Sequence, residues 1–133
     1  MNKTVKRLVI FLAVVLLIGL AGMAVVKTME AGLANLLTVD IQDPDMSSIE
    51  DGTYFGEYSQ APISVHVEVT VLNHQITEIV ITEHITGQGL PAEEIVSDVI
   101  STQSLQVDTV AGATYSSKCI LLAIQDALSP DVE

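Results

Sequence analysis

The feature that most constrains this chain is an apolar run from Leu8 to Val26 that contains no charged residue. A helix of this length rises roughly 28 Å, close to the ~30 Å thickness of the hydrocarbon core of a bilayer. The run therefore predicts a transmembrane helix over residues 8–26. Any soluble domain must be built from the residues that follow it.

Three cations, Lys3, Lys6 and Arg7, precede the apolar run. Cytoplasmic flanks of membrane helices are enriched in lysine and arginine. We therefore expect residues 1–7 to form a cytoplasmic stub and the chain after Lys27 to lie on the extracytoplasmic side.

A cleaved signal peptide is the alternative interpretation of the same run. Residues 21–24 resemble a small-residue cleavage site, although the apolar region of a signal peptide is normally shorter. No cysteine lies near the end of the run, which excludes a lipid-modified cysteine anchor.

Charge is distributed unevenly along the chain. All 17 acidic residues lie at or beyond Glu30, and from Asp51 onward there are 12 acidic residues and one basic residue, Lys118. So acidic a domain repels a phosphate backbone, which excludes nucleic-acid binding. Cys119 is the only cysteine, so an intramolecular disulfide and a cysteine-based metal site are also excluded, and its apolar neighbour places it in the predicted core.

Residues 27–50 are expected to join the anchor to the folded domain. Four apolar residues near their start fall on one helical stripe, which predicts that the helix extends past the membrane: Met29, Leu33, Leu36 and Leu37. An acidic linker broken by Pro44 follows. The remaining chain divides into a folded domain at 51–128 and a C-terminal tail at 129–133.

The clearest pattern in the domain is the strict alternation of apolar and polar residues from Ile63 to Val71. A period of two is typical of a half-buried strand. Gly52–Tyr58 is interpreted as a preceding strand, and 76–83 as the partner after a tight turn at 73–74. The apolar parity changes early in that third strand, which predicts a bulge.

Two helices are expected after the strands. Pro91 suits a first helical position, and acidic residues at 93 and 94 favour the positive helix start. The second helix follows Tyr115, because Ile120, Ile124 and Leu128 recur every fourth residue. The predicted fold is α+β, with a small antiparallel sheet and two helices packed on one face, preceded by the transmembrane helix.

Between the two predicted helices, the segment 107–117 leads small residues directly into a helix start. Gly112 and Ala113 allow the backbone to approach another group closely. The exposed N–H groups of a helix start favour a phosphate. The alternative is that Thr114 or Ser116 serves only as an N-cap, a common position for hydroxyl residues.

The same segment resembles the flavinylation motif of the FMN-binding domain family. That motif is an Asp, two variable residues, a Ser or Thr, then Gly, Ala and a final Thr or Ser. Asp108, Gly112, Ala113 and Thr114 match it, whereas Ala111 stands where the family usually has a hydroxyl residue. The predicted order of strand, hairpin, Gly-x-Gly loop, helix and motif is also similar to the family.

The resemblance implies a covalent flavoprotein. In the family, a separate flavin transferase splits FAD and joins FMN through its phosphate to the last residue of the motif, here Thr114. The bound flavin then relays electrons between redox partner proteins, often within a membrane electron-transport complex such as the sodium-translocating quinone reductase. The cofactor-binding residues implied are Thr114, Ala113, Gly112, Asp108, Tyr115 and Lys118.

Several of these side chains also have ordinary structural interpretations. Lys118 lies one turn after Thr114 and could neutralise the phosphate, or it could be a solvated helix lysine. Tyr115 could stack on the flavin ring or pack in the domain, and Asp108 could orient the loop, be read by the transferase, or cap nearby N–H groups. The loop 86–89 could approach the ring or be a plain turn. The three histidines have no metal-ligand spacing.

Three functions remain open at this level. The first is a membrane-anchored electron carrier, rather than a stand-alone enzyme, that moves electrons between a membrane donor and an extracytoplasmic acceptor. The second is a binding module of the same fold without flavin, which the departure at Ala111 keeps open. The third is an FMN domain that serves a separate extracytoplasmic reductase.

Overall fold

The computed structural model describes residues 2–129, and these divide into two units at the boundary between Gly32 and Leu33. The first unit belongs to helix α1, Lys3–Leu36. Within the described residues, α1 is the one helix with the length and hydropathy to cross a membrane, and none of its apolar window is buried. A membrane anchor and a signal sequence both fit such a helix.

The helix extends past the apolar run, as the stripe of apolar residues predicts. It ends at Leu36, which is 1% exposed in the second unit. The acidic segment after it is not a free linker. The Asp43 carboxylate accepts hydrogen bonds from the Leu105 N–H at 2.6 Å and the Ser104 hydroxyl at 2.9 Å. Ile49 is buried, and its carbonyl oxygen lies 3.0 Å from Nδ1 of His74.

The strands form one antiparallel sheet in the order β1-β2-β3. Their bounds are β1 Gly52–Gln60, β2 Ile63–Leu72 and β3 Gln75–Ile85. The alternation in β2 places its odd-numbered apolar residues in the core. The tight turn is confirmed, since Asn73 and His74 have φ values of 52° and 60°. The bulge is confirmed as a register shift opposite the start of β3.

The helices cover one face of the sheet, which confirms the predicted α+β architecture. A 3-10 helix at Leu90–Glu94 leads into α2, Ile95–Thr102, and Pro91 lies in the first turn of that 3-10 helix. Helix α3, Thr114–Leu128, packs on β1 and β2, while α2 packs on β3. Cys119 is fully buried in α3, as predicted.

Gly56 allows α3 to lie directly on β1. A Cβ atom at this position would overlap the Ala123 carbonyl oxygen and the Ala127 backbone nitrogen. The Asp126 carboxylate then accepts a hydrogen bond from the Glu57 N–H at 2.9 Å, which ties the helix to the edge of the strand. These contacts fix the position of α3, and with it the position of the segment at its N-terminus.

Candidate functional site

The backbone turns sharply immediately before α3. Gly112 has φ +78°, a left-handed conformation that glycine adopts without strain. The Ala113 N–H then donates to the Val110 carbonyl oxygen at 3.0 Å, which closes the turn. Ala113 is the N-cap of α3, and no side chain caps this helix. The interpretation of Thr114 or Ser116 as the N-cap is therefore wrong, because the turn places them one and three residues inside the helix.

A buried serine locks this turn. The Ser117 hydroxyl donates to the Ala113 carbonyl oxygen at 2.8 Å and accepts from the Val110 N–H at 3.0 Å. Ser117 is 0% exposed, so loss of its hydroxyl would leave the Val110 N–H without a partner, whereas the Ala113 carbonyl would keep its bond from the Ser117 N–H. Sequence reasoning missed this role, since a serine in the first turn of a helix carries no signal of a bond back to the preceding loop.

Thr114 is the first residue of α3, and its side chain is exposed. Among residues 2–129, its hydroxyl has no hydrogen-bond partner. The same holds for the backbone N–H groups of Thr114, Tyr115 and Ser116, since the first helical bond of α3 is from the Ser117 N–H. A nucleophilic oxygen thus lies next to three unpaired donors at the positive end of a helix, an arrangement that favours an anion.

The predicted glycine loop and the motif segment meet at one shallow pocket of about 180 Å³. Oγ1 of Thr86 lies 3.0 Å from Oγ of Ser116, and it also accepts a hydrogen bond from the Gly89 N–H at 3.0 Å. A Cβ atom on Gly89 would overlap both hydroxyl oxygens, so only glycine fits there. The interpretation of the loop as a plain turn is incomplete, because the loop forms a wall of this pocket. The lining residues are Leu33, Pro62, Ile63, Thr86, Gly87, Gln88, Gly89, Gly112, Ala113, Thr114, Tyr115 and Ser116.

The six predicted site residues fall into two groups. Gly112, Ala113, Thr114 and Tyr115 line the pocket just described, and the Tyr115 side chain is partly exposed beside Thr114. Asp108 and Lys118 instead line a second depression of about 320 Å³ with Asp40 and Thr109. The Lys118 ammonium donates to the Leu37 carbonyl oxygen at 3.4 Å.

Because Asp108 and Lys118 line the second depression, they do not contribute charge to the lining of the first pocket. No charged side chain lines it among the residues that the structure describes. An anion bound there would be held by backbone N–H groups, hydroxyls and the helix dipole, with no lysine in contact. At this pocket the positive group is the start of α3, and Lys118 lines the second depression.

A buried histidine links β3 to the 3-10 helix that follows the glycine loop. The His84 side chain is 3% exposed, and its Nδ1 lies 2.9 Å from Oε1 of Glu93 on the 3-10 helix. This contact joins β3 to the element that follows the loop. Nε2 of His84 is buried and has no hydrogen-bond partner within the described chain. The sequence does not indicate the contact between His84 and Glu93, because an acidic residue at position 93 is equally typical of a helix start.

The remaining reactive side chains lie away from the pocket. Burial raises the pKa of the Cys119 thiol to about 11, so it is neutral and unreactive near pH 7. Within residues 2–129, no group of three histidine, cysteine, aspartate or glutamate side chains is arranged to hold a metal ion.

Comparison with known protein families identifies one match. The model of the FMN-binding domain matches residues 60–129, from the end of β1 to the end of α3. This range contains the glycine loop, the turn at Gly112 and the first turn of α3. No curated protein matches the chain.

Proposed function

Because the chain belongs to the FMN-binding domain family, we propose that it is a membrane-anchored flavoprotein that carries FMN on Thr114 through a phosphoester and transfers electrons. The observation that carries the proposal is the exposed Thr114 hydroxyl beside three unpaired N–H groups. The start of α3 thus places a nucleophilic oxygen next to backbone donors that can bind an anion.

The residues present fit the phosphate end of the cofactor. Attachment would replace the Thr114 O–H bond with an oxygen–phosphorus bond, while the P–O–P bond of FAD breaks and AMP leaves with the bridging oxygen and the hydroxyl proton. The unpaired N–H groups of the first turn would then hold the negative charge of the phosphodiester. When bound, FMN supplies one- and two-electron chemistry, and the protein holds and tunes it.

The small volume of the pocket supports a covalent attachment. Sites that retain a small molecule without a covalent bond typically enclose roughly 300–1,000 Å³, and this pocket has about 180 Å³. It can hold the phosphate end, but it cannot enclose the whole cofactor. An ester at Thr114 prevents the loss of a cofactor that the protein surrounds only in part.

Two predicted residues receive different proposed roles. Asp108, Lys118 and Asp40 all line the second depression. We assign Asp108 to recognition by the flavin transferase and Lys118 to a local interaction with the segment after α1. Tyr115 stays a candidate to contact the flavin ring, since it is partly exposed on the rim of the first pocket.

The apolar helix completes the proposal. Three cations precede the apolar run, and one cation, Lys27, directly follows it. This excess of positive charge before the run favours an N-terminus in the cytoplasm, so an uncleaved α1 leaves the flavin domain outside. The domain then transfers electrons between a membrane donor and an extracytoplasmic acceptor, either as a subunit of a larger complex or as a free carrier.

The experiment is to express the full chain with and without a flavin transferase, and to measure intact mass and flavin fluorescence on a denaturing gel. The proposal predicts one FMN adduct that requires the transferase and survives denaturation. An unmodified chain in the presence of active transferase would support the second candidate, a module without flavin, which the alanine at 111 favours.

A further inference from the structure

The sheet carries helices on one face, and its other face is exposed within the domain. Cross-strand neighbours on that face form two adjacent rows at the centre of the sheet. We call these residues the open face: Phe55, Glu68 and Val80 in one row, and Glu57, His66 and Glu83 in the next.

The open face combines exposed apolar groups with negative charge. Phe55 is 73% exposed and Val80 is 43% exposed. The one group on this face that can become a cation, His66, lies between two carboxylates, at 3.5 Å from Glu57 and 3.2 Å from Glu83. Phe55 and Val80 lie on the two edge strands with Glu68 between them, so exposed apolar side chains stand beside carboxylates, a mixed composition that suits a protein-docking surface.

A shallow depression opens beside Phe55. Its volume is about 210 Å³, and its lining includes Phe55, Glu57, His66 and Asp126. The carboxylates of Glu57 and Asp126 make it attractive for a lysine ammonium or an arginine guanidinium. An aromatic ring at the edge adds a favourable contact for a bound cation.

We propose that the open face is the docking surface of a basic protein that inserts lysine or arginine side chains beside Phe55. This inference rests on the proposed function, in which the docked protein is the electron donor or acceptor. The negative charge of the domain determines which kind of partner this face can bind. From Asp51 onward the chain has 12 acidic residues and one basic residue, so a second copy or an anionic lipid surface is repelled, whereas a cationic protein is attracted.

The open face also lies next to the cofactor pocket. Ser64 of β2 and Ile85 of β3 pair at the end of the outward face, and the adjoining residues Ile63 and Thr86 line the pocket. Phe55 pairs with Glu68, four residues along β2 from Ser64, which corresponds to roughly 13 Å. A partner docked on Phe55 is therefore centred roughly 13 Å along the sheet from the end that adjoins the proposed cofactor pocket.

The test measures binding of a lysine-rich c-type cytochrome to the full chain in detergent by titration calorimetry. We expect binding at low salt that weakens as salt rises, because the Debye length falls from ~30 Å at 0.01 M to ~8 Å at 0.15 M. Phe55→Ser and the double variant Glu57→Gln/Glu83→Gln should each weaken binding about tenfold, equivalent to ~1.4 kcal/mol. Acetylation of the cytochrome lysines should abolish binding.

The matched control is Glu94→Gln/Asp98→Gln, which removes the same charge from exposed positions on the 3-10 helix and α2. It should change the affinity by less than about threefold. The proposal would be overturned by any of three results: equal weakening by the two double variants, no effect of Phe55→Ser, or no binding at low salt. Self-association through this face, seen in sedimentation and lost in Phe55→Ser, would also overturn it. Binding is measured without flavin, so this result is separate from whether Thr114 carries FMN.

Discussion

Thr114→Ala is expected to abolish covalent FMN and leave the domain folded. The substitution removes the hydroxyl that forms the proposed ester, and no other oxygen occupies that position. The structural effect is small, because the Thr114 side chain is exposed, is not the N-cap and has no hydrogen bond within the described residues. Alanine has the better helix propensity by up to ~0.7 kcal/mol, so the free energy of unfolding should stay equal or rise slightly.

Ser117→Ala provides the contrasting variant. It removes two hydrogen bonds at a fully buried position and leaves the Val110 N–H without a partner. Loss of such a buried partner destabilises by about 1–3 kcal/mol. For a domain of this size, ~1 kcal/mol shifts Tm by about 4–8 °C. Ser117→Ala should therefore melt at a clearly lower temperature than Thr114→Ala, yet still load flavin below its Tm.

The assay compares variants expressed with a flavin transferase, by denaturing-gel fluorescence, intact mass and thermal denaturation. Thr114→Ser should retain some adduct, because it keeps the hydroxyl, and Ser116→Ala should load flavin as well. An adduct that persists in Thr114→Ala would refute the assignment and move attention to Thr109, Ser116 and Ser117. A large drop in Tm for Thr114→Ala would show that the site geometry is wrong.

Three further outcomes are expected. Protease added to intact spheroplasts should digest the chain beyond Lys27, and full protection of that region would contradict the proposed topology. Ala111→Ser should load flavin as well as the native chain or better, since Ala111 is exposed and a serine adds one oxygen with little volume; a marked loss in quantitative gel fluorescence would show that the motif is misaligned. Because burial raises the pKa of the Cys119 thiol from 9.0 to about 11, the thiol ionises first in the unfolded chain, so stability should fall between about pH 9 and pH 11. Cys119→Ala should flatten that decline in chemical denaturation curves, and an unchanged slope would contradict the cause given.

The parts of the fold that the sequence predicted are those with a local cause. The alternation from Ile63 to Val71 fixes which face of β2 is buried, and the turn at Asn73 sets the register of the hairpin. The existence of α3 follows from its apolar stripe, although the helix begins at Thr114, two residues before the start predicted after Tyr115. Patterns of this kind depend on neighbours within a few residues.

The parts that could not be predicted depend on residues far apart in the chain. Asp43 binds Leu105 across 62 positions, and Thr86 meets Ser116 across 30. The motif likewise joins Asp108 to Thr114 in sequence, while the turn at Gly112 sends their side chains to different pockets. The spacing of the motif residues in the sequence cannot reveal that their side chains line different pockets. That separation depends on the direction that the backbone takes after the turn.

The packing of α3 over β1 and β2 has a consequence for biosynthesis. The ribosome makes all three strands before α3, so the apolar face of β2 stays uncovered until the helix emerges. Sheet intermediates with an uncovered apolar face are prone to aggregation. The same helix carries Thr114 at its first residue, so the attachment point and the cover of the core become available together. If Thr114 carries FMN as proposed, the flavin can be added only after the strands of the sheet have been synthesised.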